Sequence, residues 1–213
     1  MDIIDRSFVG FENLLDYLQK KDLNRIEGKC VPFVLPHNYE INPQVLGEFP
    51  KLDGDREFYF FEKEGDLYVN VGRENNVDII PLREGFRSKL HLHTHSDFSC
   101  PSIEDIEIIE RIGHGANYGV LSSEHIVSFC SPIGYNSDDI FGDFDIFLSK
   151  RKISHYSVFG LISSKKNWTS LEQEEKHDLV RDFLVQLGVI KDVCSLESVE
   201  SGTLLDKFFK FSP

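Results

Sequence analysis

Apolar positions along this chain follow either a helical spacing of three and four or a strand-like run, and the alternation between the two predicts its elements. Phe8, Phe11, Leu14, Leu15 and Leu18 recur at helical spacing behind Ser7, a suitable N-cap, so a helix is expected over 8–20. Cys30 to Leu35 reads as a short strand, which Pro32 would confine to a sheet edge. Residues 36–56, punctuated by proline and glycine, read as irregular connection. The clearest hairpin follows: Glu57 to Glu64 and Leu67 to Val71 are strand-like runs on either side of Gly65-Asp66. Val77 to Leu82 is expected to be a third strand and Lys89 to His95 a fourth.

Past that strand, Ser102 is a good N-cap for a helix carrying Asp105, Ile106, Ile109 and Ile112, with Gly113 and Gly115 as stop signals. Tyr118 to Ser123 and His125 to Ser131 read as two more strands. Residues 132–147 mix aspartate with phenylalanine and predict a loop or short strand, without the ligand spacing of a calcium loop. His155 to Ser164 is strand-like. Ser170 and Gln173 form a candidate capping box for a long helix over 171–188, and Leu204, Leu205, Phe208 and Phe209 predict a short packed helix. The fold class is α/β (α+β), a mixed sheet flanked by helices. It divides into an N-terminal helical extension (1–50), a central domain (51–165) and a C-terminal helical extension packed on it (166–213).

Composition narrows the functions. At 213 residues and 40% hydrophobic content the chain can bury a substantial core, and a net charge of −13 argues against nucleic acid as a general partner. No apolar run reaches the ~20 residues of a membrane span. Four cysteines stand without CxxC spacing and the first residues do not resemble a signal peptide, so a reducing cytoplasm is the expected location.

The chemistry concentrates between Leu90 and Asp105. His91, His93 and His95 alternate, so on a strand all three project to one face. Two imidazoles on one face can hold a zinc ion, which needs a further protein ligand and an open position for water if it is to be catalytic. Asp105, at the start of the following helix, can supply that ligand. Cys100, inside the connecting loop, is read as packing or loop lining ahead of a soft metal ligand.

His93-Thr94-His95, a loop, then Ser102-Ile103-Glu104-Asp105 resembles the JAMM signature of the MPN-domain metallopeptidases, although Ser96 stands where that family usually has proline and the loop is one residue shorter. The resemblance covers about residues 57–131. It implies an MPN-like fold with Zn²⁺ held by His93, His95 and Asp105, an oxyanion-stabilising role for Ser102, and an upstream glutamate as general acid and base. It also implies a protein substrate: an isopeptide or peptide bond near the C-terminus of a ubiquitin-like modifier. Glu57, which opens the hairpin, fits the position of the base; Glu27 and Glu40 remain rivals. A register shifted to His91 and His93 is a second option for the ligands. Two other functions stay open. One is a PHP-type phosphoesterase, since His93-Thr94-His95 also resembles that family's opening motif and Glu124-His125 falls near its second. The other is an MPN scaffold that binds without catalysis.

Overall fold

The computed structural model describes residues 1–210 apart from 55, 75, 97–99, 103–104, 107–108, 110, 112–115, 131–136 and 155–165, and only the backbone at 74, 137, 138, 141, 166 and 173. Its centre is an eight-stranded mixed sheet. In chain order the strands are β1 (Phe8–Val9), β2 (Cys30–Val34), β3 (Arg56–Lys63), β4 (Asp66–Glu74), β5 (Leu90–Thr94), β6 (Asn117–Leu121), β7 (His125–Phe129) and β10 (Ile190–Ser195), the last numbered after a separate short pair, β8 (Ile153–Ser154) and β9 (Lys166–Asn167). Across the sheet they run β1-β2-β4-β3-β5-β6-β7-β10. Strands from both terminal segments, 1–50 and 166–213, thus complete the same sheet as the central residues. No helix among the described residues is long and apolar enough to cross a membrane.

Helices cover both faces. On one, α1 (Gly10–Gln19), α2 (Pro43–Leu46) and α6 (Val199–Phe209) enclose Phe58, Phe60, Val69, Leu90 and Leu92. On the other, α3 (Ile80–Glu84) lies beside Tyr59 and Phe61, while α4 (Ser137–Lys150) and α5 (Gln173–Gln186) pack with Tyr118, Val120 and Phe129. Burial on two sides explains why β3 reads Phe58-Tyr59-Phe60-Phe61 as a continuous apolar run, where a half-exposed strand would alternate. Burying each such ring contributes roughly 1.5–3 kcal/mol.

The hairpin forms as expected with its turn one residue earlier: Lys63 pairs with Asp66 around Glu64-Gly65, whose φ angles of 56° and 93° are those a two-residue hairpin turn requires. The β2 strand lies one place in from the edge. The Pro32 nitrogen faces β1, where the pairing breaks between the Ile3–Cys30 bridge and Phe8–Phe33, so no ladder bond is lost there.

Four expectations need correction. Ser7 does not cap α1: Phe8 and Val9 are strand, and the N-cap is Val9, without a side-chain bond. Val77 to Leu82 is no strand: Pro81 opens α3, where a missing N–H costs nothing, and Gly85 at φ 73° ends it. Residues 137–150 are helical, because Ile140, Phe144, Phe147 and Leu148 recur at three- and four-residue spacing and are all buried. Ser170 does not cap α5. Its N-cap is Glu172, without a side-chain bond, and the Ser170 hydroxyl donates to the Asn167 carbonyl. The strand read over His155 to Ser164 and the stop signals Gly113 and Gly115 lie outside the described residues.

Candidate metal centre

The site forms where β5 leaves its neighbour. Through Tyr59–His93 and Phe61–His91, β5 pairs antiparallel with β3; on its other side it runs parallel to β6. Its five residues are all buried, Leu90, Leu92 and Thr94 alternating with His91 and His93. Past Thr94 the chain stays tied to β6 through the His95 amide, which donates to the Leu121 carbonyl at 2.9 Å. Farther along the chain, Ser102 precedes the helical residues Asp105 and Ile106.

That helix start is held by reciprocal bonds. The Asp105 amide donates to Ser102 Oγ at 3.1 Å, and the Ser102 amide donates to Asp105 Oδ2 at 2.7 Å. Ser102 is therefore the N-cap its position predicts, in a capping box closed by aspartate. The bond from Asp105 uses a lone pair of the hydroxyl and leaves its proton free to donate elsewhere.

Asp105 is brought against both histidines. His93 Nε2 and His95 Nε2 are 2.9 Å apart; Asp105 Oδ1 lies 3.2 Å from His93 Nε2 and Asp105 Oδ2 3.7 Å from His95 Nε2. Ligands at about 2.0–2.1 Å from a tetrahedral ion stand about 3.3–3.4 Å from each other. The three separations bracket that edge, so the donor set fits a single metal ion, and among the described residues it is the one group of His, Cys, Asp or Glu so arranged. The three side chains are largely buried, 9%, 16% and 13% exposed.

The charges agree with the geometry. Burial alone would push the His93 pKa down, but the Asp105 carboxylate and, more weakly, Glu57 outweigh it and raise it. Burial would raise Asp105, yet His93, His95 and the Ser102 amide hold it well below the usual carboxylate range. Two imidazoles and an ionised carboxylate thus converge, the combination that a divalent cation displaces protons from.

Of the three candidate bases, one stands at the site. Glu57 lies on β3, beside the histidine strand, and its titration feels both His93 and Asp105. Burial pushes its pKa up to about 7, with His93 drawing it down and Asp105 adding to the rise. Glu27 instead bonds Arg73 Nε at 3.0 Å and Arg56 at 3.4 Å. Glu40 is exposed in the loop before α2.

His91 is not gathered into the group. Its Nδ1 bonds the Tyr59 hydroxyl and its ring stacks on Tyr118 at 4.8 Å, while burial pushes its pKa down to about 4, keeping it neutral. The ligand register that the geometry assembles is accordingly His93 and His95. Cys100 packs in the core with Ile106 and Ile109, its thiol pushed up to about 12 by burial. A contributor that sequence reading missed is Thr94. Its hydroxyl accepts the Phe58 amide at 2.8 Å, and its place between two histidines on a strand was the available signal. No family model matches this chain, and no curated protein or solved structure matches it either.

Proposed function

We propose that this protein is a zinc-dependent hydrolase of JAMM type with an MPN-like core, cleaving an isopeptide or peptide bond near the C-terminus of a ubiquitin-like protein. His93, His95 and Asp105 would hold the metal. The observation that supports the reading is Glu57, a carboxyl whose pKa burial raises to about 7 within reach of the charges of a three-residue candidate ligand group and not part of it. That is the relation a general base needs to the water it activates, and a pKa near the working pH lets one carboxyl both take and return a proton.

Zinc at this site would supply Lewis acidity and a lowered pKa for water. The chain's own residues do the rest. Glu57 takes a proton from the attacking water and delivers it to the leaving amine. Ser102, with its hydroxyl proton uncommitted by the capping bond, donates to the developing oxyanion. Asp105 and the β5–β6 pairing hold both histidines in place before substrate arrives.

The test is a hydrolysis assay on C-terminal amide and isopeptide conjugates of several ubiquitin-like proteins, with bis-aryl phosphodiesters in parallel, before and after chelation and zinc replacement. Chelator-sensitive amide cleavage with one metal per chain supports the proposal. Phosphodiester cleavage with two or three metals would favour the PHP-type alternative. Metal binding without turnover on either class would leave a scaffold.

A further inference from the structure

The ladder around Glu57 is irregular in a way that bears on its aim. On β3 the pairing steps from Arg56–Glu74 to Phe58–Val71, two residues against three, so Glu57 lies opposite a bulge formed by Gly72 and Arg73 of β4. Bulges of this kind bend a strand and re-aim a side chain. Gly72 is required there: a Cβ would fall 2.5 Å from the Asn76 carbonyl oxygen and 2.7 Å from that of Glu57. The residue before Glu57, Arg56, is buried and fixed, donating to the Gly72 carbonyl at 2.6 Å, Asp53 at 2.8 Å and Asn24 at 2.7 Å.

The peptide group joining Glu57 to Phe58 is thus confined from two directions. Its carbonyl is packed against Gly72, and its N–H is taken by Thr94 Oγ1. The second bond is unusual in kind, since a side-chain hydroxyl replaces the backbone acceptor that a regular ladder would offer. Thr94 itself is fully buried and sits between the two candidate ligands.

We propose that Thr94 is a positioning residue: by accepting the Phe58 N–H, its hydroxyl fixes the Glu57–Phe58 peptide at a set offset from His93 and His95, and so sets the reach of the Glu57 carboxyl to the metal site. The catalytic consequence rests on the hydrolase reading; the positional one does not. Thr94→Val keeps shape and removes the acceptor, and Thr94→Ser keeps the acceptor and removes a methyl group.

Three readouts decide it. Exchange of the Phe58 amide proton should be several-fold faster in Thr94→Val and near wild type in Thr94→Ser. With cobalt(II) as the metal probe, paramagnetic relaxation of the Glu57 carboxyl carbon should differ from wild type in the valine variant and be restored in the serine variant, cobalt affinity being unchanged in both. Turnover should fall about 10²-fold in Thr94→Val through kcat with KM preserved, as a displaced reacting group predicts, and return in Thr94→Ser. A valine variant with wild-type relaxation and exchange, or a serine variant that fails to restore them, would overturn the proposal. Should wild type hydrolyse nothing, the hydrolase reading falls, while relaxation and exchange still judge Thr94.

Discussion

Glu27 and Glu57 both stand near the start of a strand of the same sheet, Glu27 shortly before β2 and Glu57 second in β3, and the structure gives them opposite surroundings. Glu27 is bound by two guanidiniums, Arg56 and Arg73. For Glu57, no lysine or arginine among the described residues forms an ion pair, and burial pushes its pKa up to about 7. An acid paired with arginines is engaged as an ion-pair partner, whereas one desolvated beside an imidazole and a second carboxylate is poised to exchange a proton. Chemical role here follows from neighbours brought in by the fold.

The comparison breaks most visibly in turnover. Glu57→Gln should lower kcat by about 10²–10⁴-fold with metal retained. Glu27→Gln should leave kcat within a few-fold and lower the melting temperature, as loss of one partner of the buried Arg56 predicts. Steady-state kinetics and thermal melts on both variants separate the two; a dead Glu27→Gln beside an active Glu57→Gln would reverse the assignment.

Ser102→Ala comes next. Loss of an oxyanion donor costs roughly 10²–10³ in turnover, and loss of the cap about 0.5–2 kcal/mol of stability. Both effects are expected, and a lowered melting temperature with full activity would reduce Ser102 to a cap. His91→Ala sharpens the ligand register. It should keep the metal and cost about 2–4 kcal/mol, since it removes a buried ring and strands the Tyr59 hydroxyl. Metal analysis and chemical denaturation check both halves.

The smallest effect is a dependence of stability on pH in metal-free protein. The folded pKa of Glu57, about 7, lies above its ordinary value of 4.5, so folding favours the protonated form. Its contribution is fully present below about pH 4.5 and is lost as pH rises through 7. Glu57→Gln should therefore be more stable than wild type above pH 7, by on the order of 1–2 kcal/mol once partial exposure is discounted. Denaturant titrations at pH 5 and pH 8 give the difference; an equal gap at both would remove the carboxyl from this account.

What the sequence revealed of this was local. The hairpin, the histidine strand and the Ser102–Asp105 helix start could be read because a period of two, a turn glycine and a cap each lie within a few residues. The 137–150 helix was obscured by aspartates among its apolar positions, although Ile140, Phe144, Phe147 and Leu148 carried the spacing. The β10 strand went unread because Lys191 and Asp192 break its apolar pattern at the sheet's margin. The choice between Glu27 and Glu57 depended on contacts across the fold: Arg56 reaches Glu27 over 29 residues, and Glu57 feels the charges of His93 and Asp105 from a different strand. Local spacing pointed to the candidate ligands, and tertiary neighbours favour Glu57 among the candidate bases.

The central claim is that His93, His95 and Asp105 form one metal site. Elemental analysis of protein purified without chelator, set beside His95→Ala prepared identically, tests it most directly. One zinc per wild-type chain and none in the variant are expected, with both folded by circular dichroism. Equal zinc in the two, or none in either after incubation with zinc, would contradict it.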